Sequence, residues 1–195
     1  MKIRMMLAVV VASSVLTGCG FYNKPVQLQE NVEKAKAEMI SAGQKRLDLV
    51  DNAVNVVKGY AAHEKGTLTE VTELRSKVGS INVNAGTAEG KEQIEAYIQN
   101  QSKMTGALNK LMMVSENYPN LKADQSFLQL QRDLKRADRD MQEARDAYIA
   151  SITRYNKQIK VFPNNLFAGM FGFEPLPQFH VTDEQSVKVA PKVQF

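Results

Sequence analysis

The sequence predicts an all-α protein: an antiparallel up-and-down bundle of three long helices, or four if the first divides near residues 48–52, finished by an aromatic, proline-rich C-terminal strap. Three observations predict it. Apolar residues recur at alternating steps of three and four along most of the chain, the seam spacing of a bundle or coiled coil. No proline falls between Val26 and Tyr118, so nothing forces a break over that length. The 195 residues, 44% hydrophobic and 24% charged, are enough for one compact domain, short for two, and too apolar for a disordered chain.

The first element is an export signal. Lys2 and Arg4 precede an apolar run from Met5 to Leu16, followed by Thr17, Gly18 and Cys19: a charged start, a short apolar middle and a small-residue exit. As a helix that run reaches about 18 Å, short of a hydrocarbon core of about 30 Å. Leu16-Thr17-Gly18-Cys19 resembles the bacterial lipobox, in which the cysteine thiol receives a diacylglyceryl group and becomes the first residue; the other reading is an ordinary signal or signal anchor. On the lipobox reading, residues 1–18 are a lipoprotein signal peptide cleaved before Cys19 and residues 19–27 are a tether. The covalent lipid on Cys19, with acyl chains such as palmitate, is then the only cofactor expected, and two or three chains hold a membrane where one is marginal. Gly20 at the next position, in place of Asp, resembles the sorting pattern for a Gram-negative outer membrane, facing the periplasm. Losing residues 1–18 takes Lys+Arg from 25 to 23 against 21 Asp+Glu, so the net charge falls from +4 to +2 and the case for an acidic partner weakens.

The bundle is expected over residues 28–162. Its first helix, 28–78, carries a seam through Val32, Ala35, Met39, Ala42, Val50, Ala53, Val57, Tyr60 or Ala61, Leu68, Val71 and Val78. Gly43, Gly59 and Gly66 each cost about 1 kcal/mol relative to Ala inside a helix, so this stretch can bend or divide. Arg46 and Glu64 interrupt the seam, which is read as a flanking salt bridge or snorkelling side chains. Residues 79–90 have turn chemistry, with Ile81 and Val83 placed to pack on the bundle end. The second helix, 88–118, runs through Ile94, Tyr97, Met104, Leu108, Leu111 and Tyr118, with Gln101 and Ser115 as polar exceptions, and Pro119 stops it. Asp124 is placed to cap the third, 124–162, whose seam runs from Phe127 through Leu134, Met141, Tyr148, Ile152, Tyr155 and Ile159 to Phe162. Between those positions Arg132, Asp133, Lys135, Arg136, Asp138, Arg139, Asp140, Glu143, Arg145 and Asp146 alternate in sign, a solvated face and not a nucleic-acid groove binder.

Residues 163–195 form the strap and tail. Six of the eight phenylalanines and four of the six prolines fall in the last 34 residues, too apolar for a solvated tail and too rich in proline for a long helix. One reading packs these aromatics into the grooves of the bundle. The other leaves an exposed patch that docks a partner or dips into lipid headgroups, with Phe167, Phe171 and Phe173 as the candidate interaction surface.

Several of these runs match one family. Gly43-Gln44-Lys45-Arg46-Leu47-Asp48-Leu49-Val50 and Val57-Lys58-Gly59-Tyr60-Ala61-Ala62-His63-Glu64 resemble the first half of the LemA family. Glu116-Asn117-Tyr118-Pro119-Asn120-Leu121-Lys122-Ala123 with Phe127-Leu128-Gln129-Leu130-Gln131 resembles its central signature. Tyr155-Asn156 and the run from Phe162-Pro163-Asn164-Asn165-Leu166-Phe167 to Phe173-Glu174-Pro175 resemble its C-terminal one. The resemblance implies a helical-bundle, membrane-associated envelope protein, and it supplies no reaction, substrate or catalytic residues. Where the family commonly has proline before an asparagine, this chain has Asp51-Asn52, which favours a straighter first helix. Where many members keep an N-terminal hydrophobic helix, this one has the lipobox.

Little in the sequence points to chemistry. One cysteine and two histidines exclude an internal disulfide, a zinc ribbon and c-type haem attachment. His63-Glu64 begins like a zinc-protease helix, but Thr67 stands where the second histidine is needed. No phosphate-binding glycine loop and no Gly-x-Ser-x-Gly elbow is present. Gly169-Met170-Phe171-Gly172 has the spacing of an RNA-binding loop without its basic context. The expectation is therefore a non-catalytic structural or interaction module with no metal and no small-molecule substrate. Its partners would be the membrane, through the lipid, and another envelope protein. Two alternatives stay open: a lipid- or small-ligand-binding bundle, and an enzyme with a polar pocket built from Arg46, His63 and Glu64.

Overall fold

The computed structural model describes the backbone of residues 2–81 and 88–179, and the side chains of residues 20–81 and 90–179. Six helices account for nearly all of it, and no strand occurs among the described residues: α1 (Lys2–Tyr60), α2 (Lys65–Ser80), α3 (Ala88–Val114), α4 (Pro119–Ala123), α5 (Gln125–Lys160) and α6 (Asn164–Met170), with a 3₁₀ turn at Ser115–Asn117. The fold is all-α, as the seams require.

The first helical stretch divides, though not at residues 48–52. Helix α1 runs straight through Asp51 and Asn52 to Tyr60; residues 61–64 then turn, and α2 folds back along α1. Arg75 reaches Asp51 at 2.6 Å, and Gly79 lies beside Leu47. The expected single helix 28–78 is thus a helical hairpin, with Gly59 and Gly66 flanking the turn and Ala61 plugging the core inside it. Gly43 makes no bend. A methyl group there would sit 1.8 Å from Tyr97 Oη, so glycine is what lets α3 approach α1 this closely. Residues 19–27, expected as a tether, are helical within α1, and the rings of Phe21 and Tyr22 pack against the C-terminal aromatics.

Helix α1 runs up, α2 down, α3 up and α5 down. Cross-contacts fix the register: Arg46 with Gln101 and with Asp138, Glu64 with Tyr118, Tyr60 with Asp124. Four helices therefore surround the core in the upper part, the head. Below about residue 40, where Ile40 still shares a pocket with Ile81 and Tyr97, α1 runs beside α5, with α6 and the strap at its lower end. This stalk is roughly 30 Å of paired helix at 1.5 Å per residue. Helix α5 serves both parts, burying Phe127, Leu130 and Leu134 in the head and Tyr148, Ile152, Tyr155 and Ile159 in the stalk. Each such side chain contributes roughly 1.5–3 kcal/mol on leaving water. Its first turn is capped as the sequence predicts, with Asp124 Oδ1 accepting from the Phe127 N–H at 2.9 Å.

Two helices cannot enclose a core, and the strap supplies the third wall. Asn156 donates from Nδ2 to the Leu176 carbonyl at 2.7 Å and accepts from the Leu176 N–H at 2.8 Å. Tyr155 Oη donates to the Glu174 carbonyl at 3.1 Å, and Phe179 is buried with its ring 5.8 Å from that of Tyr148. Gly172, at φ 75°, ends α6 and turns the chain into this strap, helped by the Phe173 N–H donating to the Ala168 carbonyl at 2.9 Å. The α5 seam stops at Ile159. Phe162, expected to continue it, is exposed because α5 ends at Lys160 and the chain leaves the seam. Ile81 packs on the core as expected, while Val83 and the tail from residue 180 lie outside the described residues.

Candidate functional site

Three groups of side chains stand out. The first is a polar belt through the head. Arg46, 1% exposed, sends Nη1 to the carbonyl and Oε1 of Gln101 at 2.9 and 3.0 Å, and Nη2 to Thr105 Oγ1 at 2.7 Å and Asp138 Oδ1 at 2.8 Å. Thr105 donates onward to Asp138 at 2.9 Å, and Gln101 Nε2 to Tyr97 Oη at 3.2 Å. Desolvation pulls the Arg46 pKa down, opposed by the Asp138 carboxylate, but a guanidinium stays charged in proteins, so it exchanges no proton here. Burial likewise pushes the Tyr97 hydroxyl up. The belt's chemistry is registration: one charge on α1 holds partners on α3 and α5 at a single level. Beside it, an open groove of about 350 Å³ separates α3 from α5, lined by Ser102, Thr105, Asn109 and Gln142.

Asp138 is a correction to the sequence reading, which placed it on the solvated face of the third helix. Its side chain is 25% exposed and turned to Arg46. The signal that could have found the belt was present, since Arg46 and Gln101 each interrupt a seam. Asp138, one step off the stripe after Ala137, looked like any surface carboxylate.

The second group lies at the head's tip, where two of the family-like runs meet. Tyr60 Oη donates to Asp124 Oδ2 at 2.8 Å and Tyr118 Oη to Glu64 Oε1 at 3.2 Å. Asp124 is held below the usual carboxylate range, chiefly by the Phe127 N–H and then by Tyr60. Here the proposed pocket of Arg46, His63 and Glu64 comes apart. Arg46 lies fourteen residues below Tyr60 on α1, about 21 Å at 1.5 Å per residue, and is enclosed in the belt. His63 is exposed in the turn, and Glu64 is engaged by Tyr118. The structure does not bring the three together. Among the described residues no three His, Cys, Asp or Glu side chains are grouped to hold a metal.

The third group is the stalk end. Phe21 stacks on Phe167 at 4.9 Å between centroids, and Tyr22 meets Phe171 at 5.4 Å and Phe173 at 5.7 Å. Phe167 and Phe173 are half-buried and Phe171 is exposed, so the C-terminal aromatics divide between strap and surface. The side chain of Cys19 is outside the described ones, but its backbone lies on α1 two residues before Phe21. No helix among the described residues is long and apolar enough to cross a membrane. Further up the stalk, burial and then Glu33 push the Tyr148 hydroxyl to about 12.

Comparison with known proteins fits this architecture to a family. The sequence model of the LemA family matches residues 35–195. The protein LemA of Metamycoplasma hominis is 25% identical over 171 residues, covering 87% of this chain and 74% of that protein. The magnetosome protein MamQ of Magnetospirillum gryphiswaldense is 23% identical over 199 residues, covering 91% of this chain and 72% of that one.

Proposed function

Because this chain belongs to the LemA family, we propose that it is an envelope lipoprotein, acylated at Cys19, whose bundle is a non-catalytic interaction module. The observation that carries the reading is the position of Leu16-Thr17-Gly18-Cys19: the cysteine stands two residues before Phe21, whose ring stacks on Phe167 at the stalk end. Acyl chains there would hold the stalk end at the lipid surface and present the head roughly 30 Å or more away from it. Gly20 supports an outer-membrane address in a Gram-negative cell. A methyl group at that position would meet no atom within 4 Å, so packing gives no reason for a glycine.

The non-catalytic part rests on the belt and the tip. The belt's polar groups are engaged with one another, apart from Arg46 Nε, which is buried without a partner, and the tip's tyrosines and carboxylates are paired at the surface. The partner is then another envelope protein met by the head, and no cofactor beyond the covalent lipid takes part. Metabolic labelling with an acyl-chain probe tests the anchor: the native chain is expected to take up label, and Cys19→Ala to lose it. Undiminished labelling of Cys19→Ala would overturn the reading.

A further inference from the structure

Resting on the acylation of Cys19, we propose that the stalk end is itself a lipid-contacting surface, in which α6 and its flanking residues insert into the membrane interface beside the anchor. Among the described residues, six of the eight large apolar side chains left exposed belong to this end: Tyr22, Val161, Phe162, Leu166, Met170 and Phe171. Phe162 is 79%, Leu166 63% and Met170 68% exposed. They are not scattered. Helix α6 turns Ala168 inward and rests Phe167 on Phe21, which leaves Leu166 and Met170, four residues apart, on one outward face.

Two features identify lipid as the occupant. The surface is continuous with the anchor, because Cys19 precedes Phe21 by two residues, a rise of about 3 Å along α1. An acyl group there delivers α6 to the bilayer surface. The charge also fits. Lys24, Lys157 and Lys160 are exposed around this end, with Glu174 the acid of the adjoining strap, and aromatic and aliphatic side chains ringed by lysine suit an anionic interface. An acyl tether alone lets the bundle tumble. A second contact of this kind fixes the stalk's direction, so that the head points away from the membrane.

The chain contains no tryptophan, which allows a single depth reporter. The acylated full chain carrying Phe171→Trp, in phosphatidylglycerol vesicles with brominated acyl chains, is expected to show blue-shifted, quenched emission. Tyr60→Trp, about 57 Å up α1, is expected to stay unquenched. Adding Leu166→Ser and Met170→Ser, both at exposed positions, should lower the vesicle partitioning of unacylated Cys19→Ala protein about tenfold while circular dichroism is unchanged. Vesicle-bound Phe171→Trp protein whose emission stays unquenched overturns the proposal. So does a blue shift without vesicles, whether it accompanies a doubled mass, which assigns the surface to a second copy, or vanishes on removing residues 180–195, which assigns it to the tail. Mass spectrometry of Cys19 judges the acylation reading separately, and the Cys19→Ala vesicles report on the surface even if that reading fails.

Discussion

The upper half of helix α1, toward Tyr60, is flanked by α2, α3 and α5, whereas its lower half runs beside α5, with α6 and the strap at its end. The head can tolerate a buried charge. Arg46 is 1% exposed among the helices of the head, and two of them, α3 and α5, supply its partners. The stalk has no such enclosure, and it closes its core with an irregular segment pinned by backbone hydrogen bonds to Asn156 and Tyr155. The difference teaches that helix number decides where polarity is accommodated. A dry four-helix section can organise itself around one ion pair, while a two-helix section must use its polar side chains to recruit a third wall, and its end remains apolar and open.

Four substitutions test that contrast. The largest effect is expected from Arg46→Ala, which strands Asp138, Thr105 and Gln101 in the head; a loss of about 3 kcal/mol in denaturant unfolding is expected, discounted for the partly exposed carboxylate. A loss below about 1 kcal/mol would mean that the belt does not tie the helices together. In the stalk, Asn156→Ala leaves both polar groups of Leu176 unpaired. It should cost about 2 kcal/mol and speed proteolysis between residues 172 and 179; unchanged cleavage there would show that the strap is held by Phe179 and Leu176 packing alone. The smallest effects come from a pair of glycines with opposite signs. Gly106→Ala, with nothing within 4 Å of the new methyl group, should gain up to about 1 kcal/mol. Gly43→Ala should lose about 1–2 kcal/mol despite the same gain in helix propensity, because Tyr97 and Gln101 must move. Two stabilising results would show that α3 does not need the close approach to α1 that Gly43 permits.

Much of this was legible in the residues. The seam from Phe127 to Ile159 and the cap at Asp124 are local patterns, and both elements appear where the spacing puts them. The hairpin at residues 61–64 was not. Leu68, Val71 and Val78 keep the three-and-four rhythm of Val50, Ala53 and Val57, so a stripe facing one core reads the same whether its helix continues or folds back. The candidate site was legible in part. Phe167, Phe171 and Phe173 were marked by composition, but apolarity did not say which of them the strap would take inward and which α6 would leave out.

The sequence by itself determined that this chain is helical and amphipathic, because backbone propensity and a period of 3.6 residues act within a few turns and need no partner. It also determined the membership that residues 35–195 carry. Only the tertiary structure decided that Arg46 meets Asp138 across 92 positions, that the stalk has two helices where the head has four, and that the apolar surplus of the C-terminus gathers beside Cys19. Those outcomes depend on which stripe faces which, a choice made by the total area buried and by the pairing of polar groups once several helices are in place.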